Sequence, residues 1–227
     1  MYHGNLEEVK ALLNGKSIEE IIDLLSRRDN RGYRENELVK QGEGCTSLHY
    51  AAGQGNLKII EYIDSFFEDN PVAFQELLNI KNANGSTPIH WATREGHSEV
   101  VKFLGKKGVE ISDSYGSDGK SLLSVAAFSG DFETFNTVIG IYSDRKMMNP
   151  NVWSEKDGSN RTVLFNAVES KNVDIARTCL EKEETCNTTS NRSYKTFNDP
   201  NGITPACQAL KIKDQKTRES MLKLFFE

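Results

Sequence analysis

The sequence predicts an all-α fold, a solenoid of stacked helix-turn-helix units joined by β-turn loops. Three observations support this prediction. Residues 82–104 contain a turn signal at Asn84-Gly85, a helix start at Thr87-Pro88 and a second apolar helix after Gly96. Partial copies of this stretch recur along the chain. One such unit cannot bury its own apolar face, so we expect the copies to stack on one another.

A hydroxyl residue marks the start of the first helix in each copy. These residues are Thr46, Thr87, Ser121, Thr162 and Thr204, at intervals of 41, 34, 41 and 42 residues. The interval of 34 residues is close to the roughly 33 residues of the shortest helical repeats, and the other intervals exceed it by similar amounts, which predicts insertions in one loop. We therefore expect a single domain over 1–227. Its predicted parts are an N-terminal half repeat and basic loop (1–43), repeats at 44–81, 82–115, 116–156 and 157–198, and a C-terminal capping repeat (199–227).

Two stretches predict additional helices, over 17–28 and 71–79. Ser17-Ile18-Glu19-Glu20 is a capping box, and Asn70-Pro71 is a helix start with proline in the first turn. Whether these helices bind a partner or brace the repeats is left open by the sequence. Gly4 to Leu13 copies only the second half of a unit, so it is either a truncated repeat or the start of a fragment of a longer chain.

The composition is that of a folded protein, with 37% hydrophobic and 27% charged residues. The net charge of −5 opposes binding of nucleic acid and of anionic membranes by the molecule as a whole. No apolar run approaches the roughly 20 residues of a membrane helix, and the polar N-terminus is no secretory signal. The four scattered cysteines indicate free thiols in a reducing compartment. We expect a cytoplasmic monomer, or a protein of the host cytoplasm if the chain is a secreted effector.

The best-preserved copy resembles the ankyrin-repeat consensus. It carries Gly85-Ser86-Thr87-Pro88-Ile89-His90, then Ala92, Gly96-His97 and Val100-Val101, and it is echoed by Gly44 to Ala52 and Gly202 to Pro205. The other copies depart from it at Ser47 and Leu122 in place of Pro, at Ser124, Phe165 and Cys207 in place of His, and at Lys171 in place of Gly. The resemblance covers nearly the whole chain and implies about five irregular repeats plus a half repeat. It further implies a non-catalytic interaction module, a scaffold that presents a concave surface to a protein or peptide.

No catalytic or metal-binding motif is present in the sequence. His49 and His90 fall on the same helix-start position, where the resemblance implies an imidazole that bonds turn backbone. We therefore expect no catalytic residue, no cofactor and no metal site. The rival interpretation is a regulatory or targeting domain of a larger enzyme, channel or secreted bacterial effector. A weaker one is phosphate contact by the basic loop Arg27 to Arg34, for which a solvated loop is the favoured alternative.

The resemblance implies that a partner lies against the loop tips and the inner face of the first helices. The residues predicted to contact it are Asn84, Ser86, Arg94, Glu95, Tyr115, Lys120, Phe128 and Arg161. The wider set of positions expected to be exposed also includes Cys45, Gln54, Glu169, Ile203, Lys211 and Ile212. Aromatic and arginine side chains carry most interface energy, so Phe128, Tyr115, Arg94 and Arg161 are the predicted hot spots.

Four aromatic side chains admit a second interpretation. Phe128 could instead fold under a neighbouring loop. Tyr50 and Trp91 lie between the His and the Ala of their first helices, a position that faces the next repeat, so core packing is favoured for both. For Trp153 the sequence leaves two alternatives, an exposed anchor or a lid over the preceding helices.

Overall fold

The computed structural model describes residues 5–29, 44–111, 119–147, 152–186, 199 and 201–226. Within these ranges the regular structure is helical, and an isolated antiparallel bridge joins Asp29 to Cys45. The helices form two compact units. The described residues up to Ile111 make up the first unit, and those from Gly119 onward make up the second. The fold is an all-α repeat solenoid, as the sequence predicts.

The first unit contains two first helices, α3 and α6, which pack side by side. Behind them α4 packs against α1 and α7, the second helices of the neighbouring repeats. The bounds are α1 (Leu6–Leu13), α2 (Ile18–Ser26), α3 (Ser47–Gly53), α4 (Leu57–Asp64), α5 (Pro71–Leu78), α6 (Pro88–Arg94) and α7 (Ser98–Lys106).

The second unit repeats this arrangement over three first helices. α8, α10 and α12 form one row, and α9, α11 and α13 form the row behind it. The bounds are α8 (Leu122–Ser129), α9 (Phe132–Asp144), α10 (Val163–Glu169), α11 (Val173–Cys186), α12 (Pro205–Ala209) and α13 (Gln215–Phe226).

The predicted hydroxyl residues are the N-caps of all five first helices, so the predicted phase of the repeat is confirmed. An N-cap oxygen satisfies a backbone N–H that has no partner within the helix. The hydroxyl of Ser121 accepts from the backbone N–H of Ser124 at 3.2 Å, and that of Thr204 accepts from Cys207 at 3.1 Å. Local chemistry thus fixes where each first helix begins.

The two additional helices, α2 and α5, brace the first unit. Ser17 and Glu20 form the predicted capping box, with hydrogen bonds of 2.9 and 3.3 Å. α2 packs against α3 and α5. From α5, the side chain of Gln75 donates to the carbonyl of Gly108 at 2.5 Å. Just beyond α5, Asn79 Oδ1 accepts from the backbone N–H of Glu110 at 2.9 Å, so α5 and its C-cap hold the chain that follows α7.

The core of the second unit includes Trp153, which is 1% exposed. Its ring meets Phe135 of α9 edge-on, with 6.4 Å between the ring centroids. Trp153 is therefore a lid over the preceding helices, the second of the two alternatives left by the sequence. Lys171, at the place where other repeats have glycine, adopts the left-handed backbone itself, with φ of 66°. No helix in the described parts of the chain is long and apolar enough to span a membrane.

Candidate partner-binding surface

Three of the turns that lead into first helices are held by an Asn or Asp side chain. In each, one side-chain oxygen accepts two backbone N–H groups of its own turn at 2.9 to 3.0 Å: Asn82 from Asn84 and Ser86, Asp157 from Ser159 and Arg161, and Asp199 from Asn201 and Ile203. The acceptor stands five residues before the hydroxyl cap in every case. Sequence reasoning missed this group, although the fixed spacing was a visible signal.

His49 connects two successive turns of the first unit. The side chain is fully buried. The backbone N–H of Thr46 donates to its Nδ1 at 3.1 Å, so Nε2 carries the hydrogen and donates to the carbonyl of Ser86 at 2.8 Å. Burial lowers the pKa of His49 to about 4. The imidazole therefore serves the turn backbone, as the resemblance implies.

Three positions expected to be exposed are buried, so those predictions are wrong. Ser86 is 1% exposed because its N–H donates to Asn82 and its carbonyl accepts from His49. Cys45 is 1% exposed, and its sulfur accepts from Asn82 Nδ2 at 3.3 Å. Ile212 is 4% exposed. Tyr115 lies outside the described residues and stays a prediction.

On the first unit, two of the predicted contact residues form a charged pair beside one aromatic ring. The Arg94 guanidinium lies 5.0 Å from the centre of the Trp91 ring and pairs with Glu95 at 2.9 Å. The side chains of Arg94 and Glu95 are 22% and 46% exposed. Asn84 is half-buried at the tip of the preceding turn. Arg94 and Glu95 therefore offer charged groups beside the indole of Trp91.

Trp91 packs against the previous repeat, as its position predicts. It meets Tyr50 edge-on, with 5.6 Å between the ring centroids. A Cβ atom at Gly53 would come within 2.9 Å of its Cε3 atom. The close approach of the indole therefore requires glycine at that place on α3. Both rings stay half-buried, so each also retains some exposed surface.

On the second unit, Phe128 is 42% exposed at the end of α8. The ammonium group of Lys120 lies 5.9 Å from the centre of its ring. This arrangement rules out the alternative in which Phe128 folds away beneath a loop. A lysine held over an exposed aromatic ring offers a partner an apolar surface and a positive charge together.

Arg161 occupies in its repeat the place that Lys120 has in the previous one, directly before the N-cap. Its guanidinium lies 4.9 Å from the centre of the Phe165 ring and pairs with Glu169 at 2.9 Å. Both charged side chains are 27% exposed. Phe128 and Glu169 share one register position, seven residues after the cap. Because α8 and α10 pack side by side, the pairs Lys120/Phe128 and Arg161/Glu169 line one face.

Part of the predicted basic loop engages the chain's own groups. Arg27 pairs with Asp23 at 2.6 Å, and Arg28 donates to the carbonyl of Lys81 at 2.8 Å. The rest of the loop, 30–34, lies outside the described residues. Among the side chains that are described, no cluster of three or more His, Cys, Asp or Glu could hold a metal ion.

Comparison with known proteins adds to this geometry. The family model described as Ankyrin repeats (3 copies) matches residues 1–115 and 64–149, which is more than half of the chain. A search of the curated proteins finds no match. A solved chain from the complex of a predatory endopeptidase from Bdellovibrio bacteriovorus with an immunity protein is 21% identical, with a TM-score of 0.63, over 98% of this chain and 94% of that one. At this identity the likeness shows the fold alone. The chain belongs to the ankyrin repeat family, whose members are protein-interaction modules.

Proposed function

We propose that the chain is a non-catalytic module that binds a protein or peptide through the first helices and turn tips of its units. The observation that carries the proposal is Phe128, a large apolar side chain left 42% exposed on a first helix and placed beneath Lys120. Isolated exposed apolar residues are common, but here the ring sits beside ordered charged groups on the face that the repeat register marks.

Two of the proposed contact residues are already held by neighbouring side chains in the unbound chain. Arg94 and Arg161 are each held by an aromatic ring and by a carboxylate. Ordering a long side chain at an interface costs about 0.5 to 1.5 kcal/mol. Holding the two arginines in place in advance reduces that cost, which supports a role for both as anchors. Asn84 and Glu95 on the first unit, and Lys120 on the second, would then supply polar contacts on their own units.

A second candidate is a regulatory or targeting domain of a larger enzyme, channel or secreted bacterial effector. The solved chain of similar fold comes from a complex of an endopeptidase with an immunity protein, and that setting motivates this candidate. Under either candidate the chain itself performs no chemistry, and the same face would carry the contact. Coding sequence upstream of Met1 or beyond Glu227 would favour this second candidate.

The test is affinity capture from a cell lysate, read out by mass spectrometry, with matched double variants. The first variant combines Phe128→Ala with Arg94→Ala. The control combines Phe132→Ala with Arg177→Ala, which removes an equally exposed Phe from α9 and an exposed Arg from α11. We expect proteins captured by the unmodified chain to be lost with the first variant and retained with the control. Retention of every partner by both variants would contradict the proposal.

A further inference from the structure

Several large apolar side chains of the chain are exposed, and one of them lies within a first helix of the second unit. The large apolar side chains that are exposed within the described residues are Leu12, Val72, Phe128, Phe132, Leu210 and Phe226. Of these, Phe128 lies within a first helix, and Leu210 is the C-cap residue of another first helix, α12. An apolar side chain of a partner that covers this ring would gain about 25 cal/mol for each Å² removed from water.

Three cations occupy the same two register positions as Lys120 and Phe128 along the row of first helices. Lys120 and Arg161 directly precede their N-caps, and Lys211 is seventh after Thr204, as Phe128 is seventh after Ser121. Lys211 is exposed, and Lys120 and Arg161 are half-exposed. Because α10 packs against both α8 and α12, these positions continue along one row. We call the row Lys120, Phe128, Arg161, Glu169 and Lys211 the second-unit face.

In the two turns that precede α10 and α12, the described carboxylates are turned inward. Asp157 and Asp199 are 7% and 5% exposed, and one oxygen of each accepts two backbone N–H groups. The backbone N–H of Ile203, followed by that of Asn201, lowers the pKa of Asp199. Glu169 is paired with Arg161. Among the described side chains of this row, the charges that a partner meets are therefore mainly positive, although the chain carries a net charge of −5.

The geometry points to an acidic segment with an apolar side chain as the ligand of the second-unit face. The apolar side chain covers Phe128, and the flanking carboxylates pair with Lys120 and Lys211. Arg161 keeps Glu169 as its partner and extends the platform through its contact with Phe165. This inference rests on the proposed function and adds the chemical class of the partner to it.

A single-stranded nucleic acid is the other polyanion that combines charge with an apolar group. Its phosphates would meet the same cations, and a base would stack on Phe128. Two observations favour a protein segment instead. Glu169 stands in the middle of the row, where it repels a continuous phosphate backbone, and the net charge of −5 repels a long polyanion. A segment with a few carboxylates placed at the ends of the row avoids both penalties.

The test selects 12-residue peptides from a random phage-displayed library on the immobilised full chain. The affinity of a selected peptide is then measured by fluorescence anisotropy. We expect the selected peptides to place an aromatic or aliphatic residue beside Asp or Glu. We expect Phe128→Ser and Lys211→Glu each to weaken binding about tenfold or more. The matched variants Phe132→Ser and Lys216→Glu, on α9 and α13, should bind as the unmodified chain does.

Each of the other possible results would contradict a specific part of the proposal. Basic or neutral peptides that still require Phe128 would overturn the acidic ligand and leave the proposed function standing. Peptides that bind Phe128→Ser and Phe132→Ser equally well would overturn both. Failure to select any peptide would overturn recognition of a linear segment. Tighter binding of a 12-nucleotide oligo-dT, with the same dependence on Phe128 and Lys211, would assign the face to nucleic acid instead.

Discussion

Single side chains that bond to the turns join neighbouring repeats, and His49 of α3 is the most direct example. Its two ring nitrogens are both engaged, one by the N–H of Thr46 and the other by the carbonyl of Ser86. A proton added to Nδ1 would face the N–H group that now donates to it. The folded chain therefore keeps this imidazole neutral at mildly acidic pH, where the unfolded chain already protonates it.

This difference predicts a defined loss of stability in acid. The pKa of His49 is about 4 in the folded chain, against about 6.5 when unfolded. The unfolded state thus takes up the proton first as the pH falls. The stabilisation of the folded chain by the neutral imidazole is fully present above pH 6.5. It falls by about 3 kcal/mol of unfolding free energy as the pH is lowered to about 4. In urea titrations, the stability gap between the unmodified chain and His49→Gln should shrink by that amount over this range. A gap that stays constant would contradict the assignment.

Exposure at single positions was harder to predict than helix starts, for a physical reason. Cys45, Ser86, Lys120 and Arg161 all directly precede an N-cap, yet the first two are buried and the last two are half-exposed. A short side chain at this place is covered by the adjoining turn, whereas a long one extends past it. Sequence alone does not place the adjoining turn, because that contact joins residues far apart in the chain.

At the scale of whole elements, the turns before the first helices have a common construction. An Asn or Asp side chain closes each of the three turns described above, and the fourth residue of each has a left-handed backbone. That residue is Gly85, Asn160 or Gly202, all of which are residue types that tolerate positive φ. Closed turns hold the residue before each cap in a fixed place, which is buried for Ser86 and half-exposed for Arg161.

The Asp157 turn predicts the outcome of two substitutions. Asp157→Ala removes the acceptor of two N–H groups in a part-buried turn, which should cost about 1 to 3 kcal/mol of unfolding free energy. Asp157→Asn keeps an acceptor oxygen, and Asn82 performs the same role in the first unit. It should therefore stay close to the unmodified chain. Thermal or urea unfolding compares the three proteins. Equal destabilisation by Ala and Asn would show that the carboxylate charge matters and not the two hydrogen bonds.

The elements themselves were predictable to the extent that their signals are local. Capping by Ser17 and Thr204 depends on residues within four positions, so the corresponding helices begin where the sequence predicts. The packing of α2 on α5 and the burial of Trp153 depend on contacts between distant residues, and the sequence left both open. Lys171 stands at a turn where other repeats have glycine, and its backbone is left-handed. The rest of the repeat stabilises this conformation, so the lysine is tolerated there.

At the scale of the whole molecule, the residues that identify the fold differ from the residues proposed to bind a partner. The signature that identifies the ankyrin family, such as Thr87 and His90, is buried between repeats. The proposed contacts, Phe128, Arg94 and Arg161 among them, lie on the surface of each unit. Substitutions on the face should therefore change binding without unfolding the repeats, and the choice of partner can vary while the fold is kept.

The most direct test of the binding face is hydrogen exchange measured by mass spectrometry, with and without a ligand that the unmodified chain selects. The account predicts slower amide exchange on binding in residues 119–130 and 157–170, which contain α8, α10 and parts of their turns. Exchange in α9 and α11 should change little, because those helices form the row behind. Protection confined to α9, α11 and α13 would contradict the assignment of the binding face to the first helices.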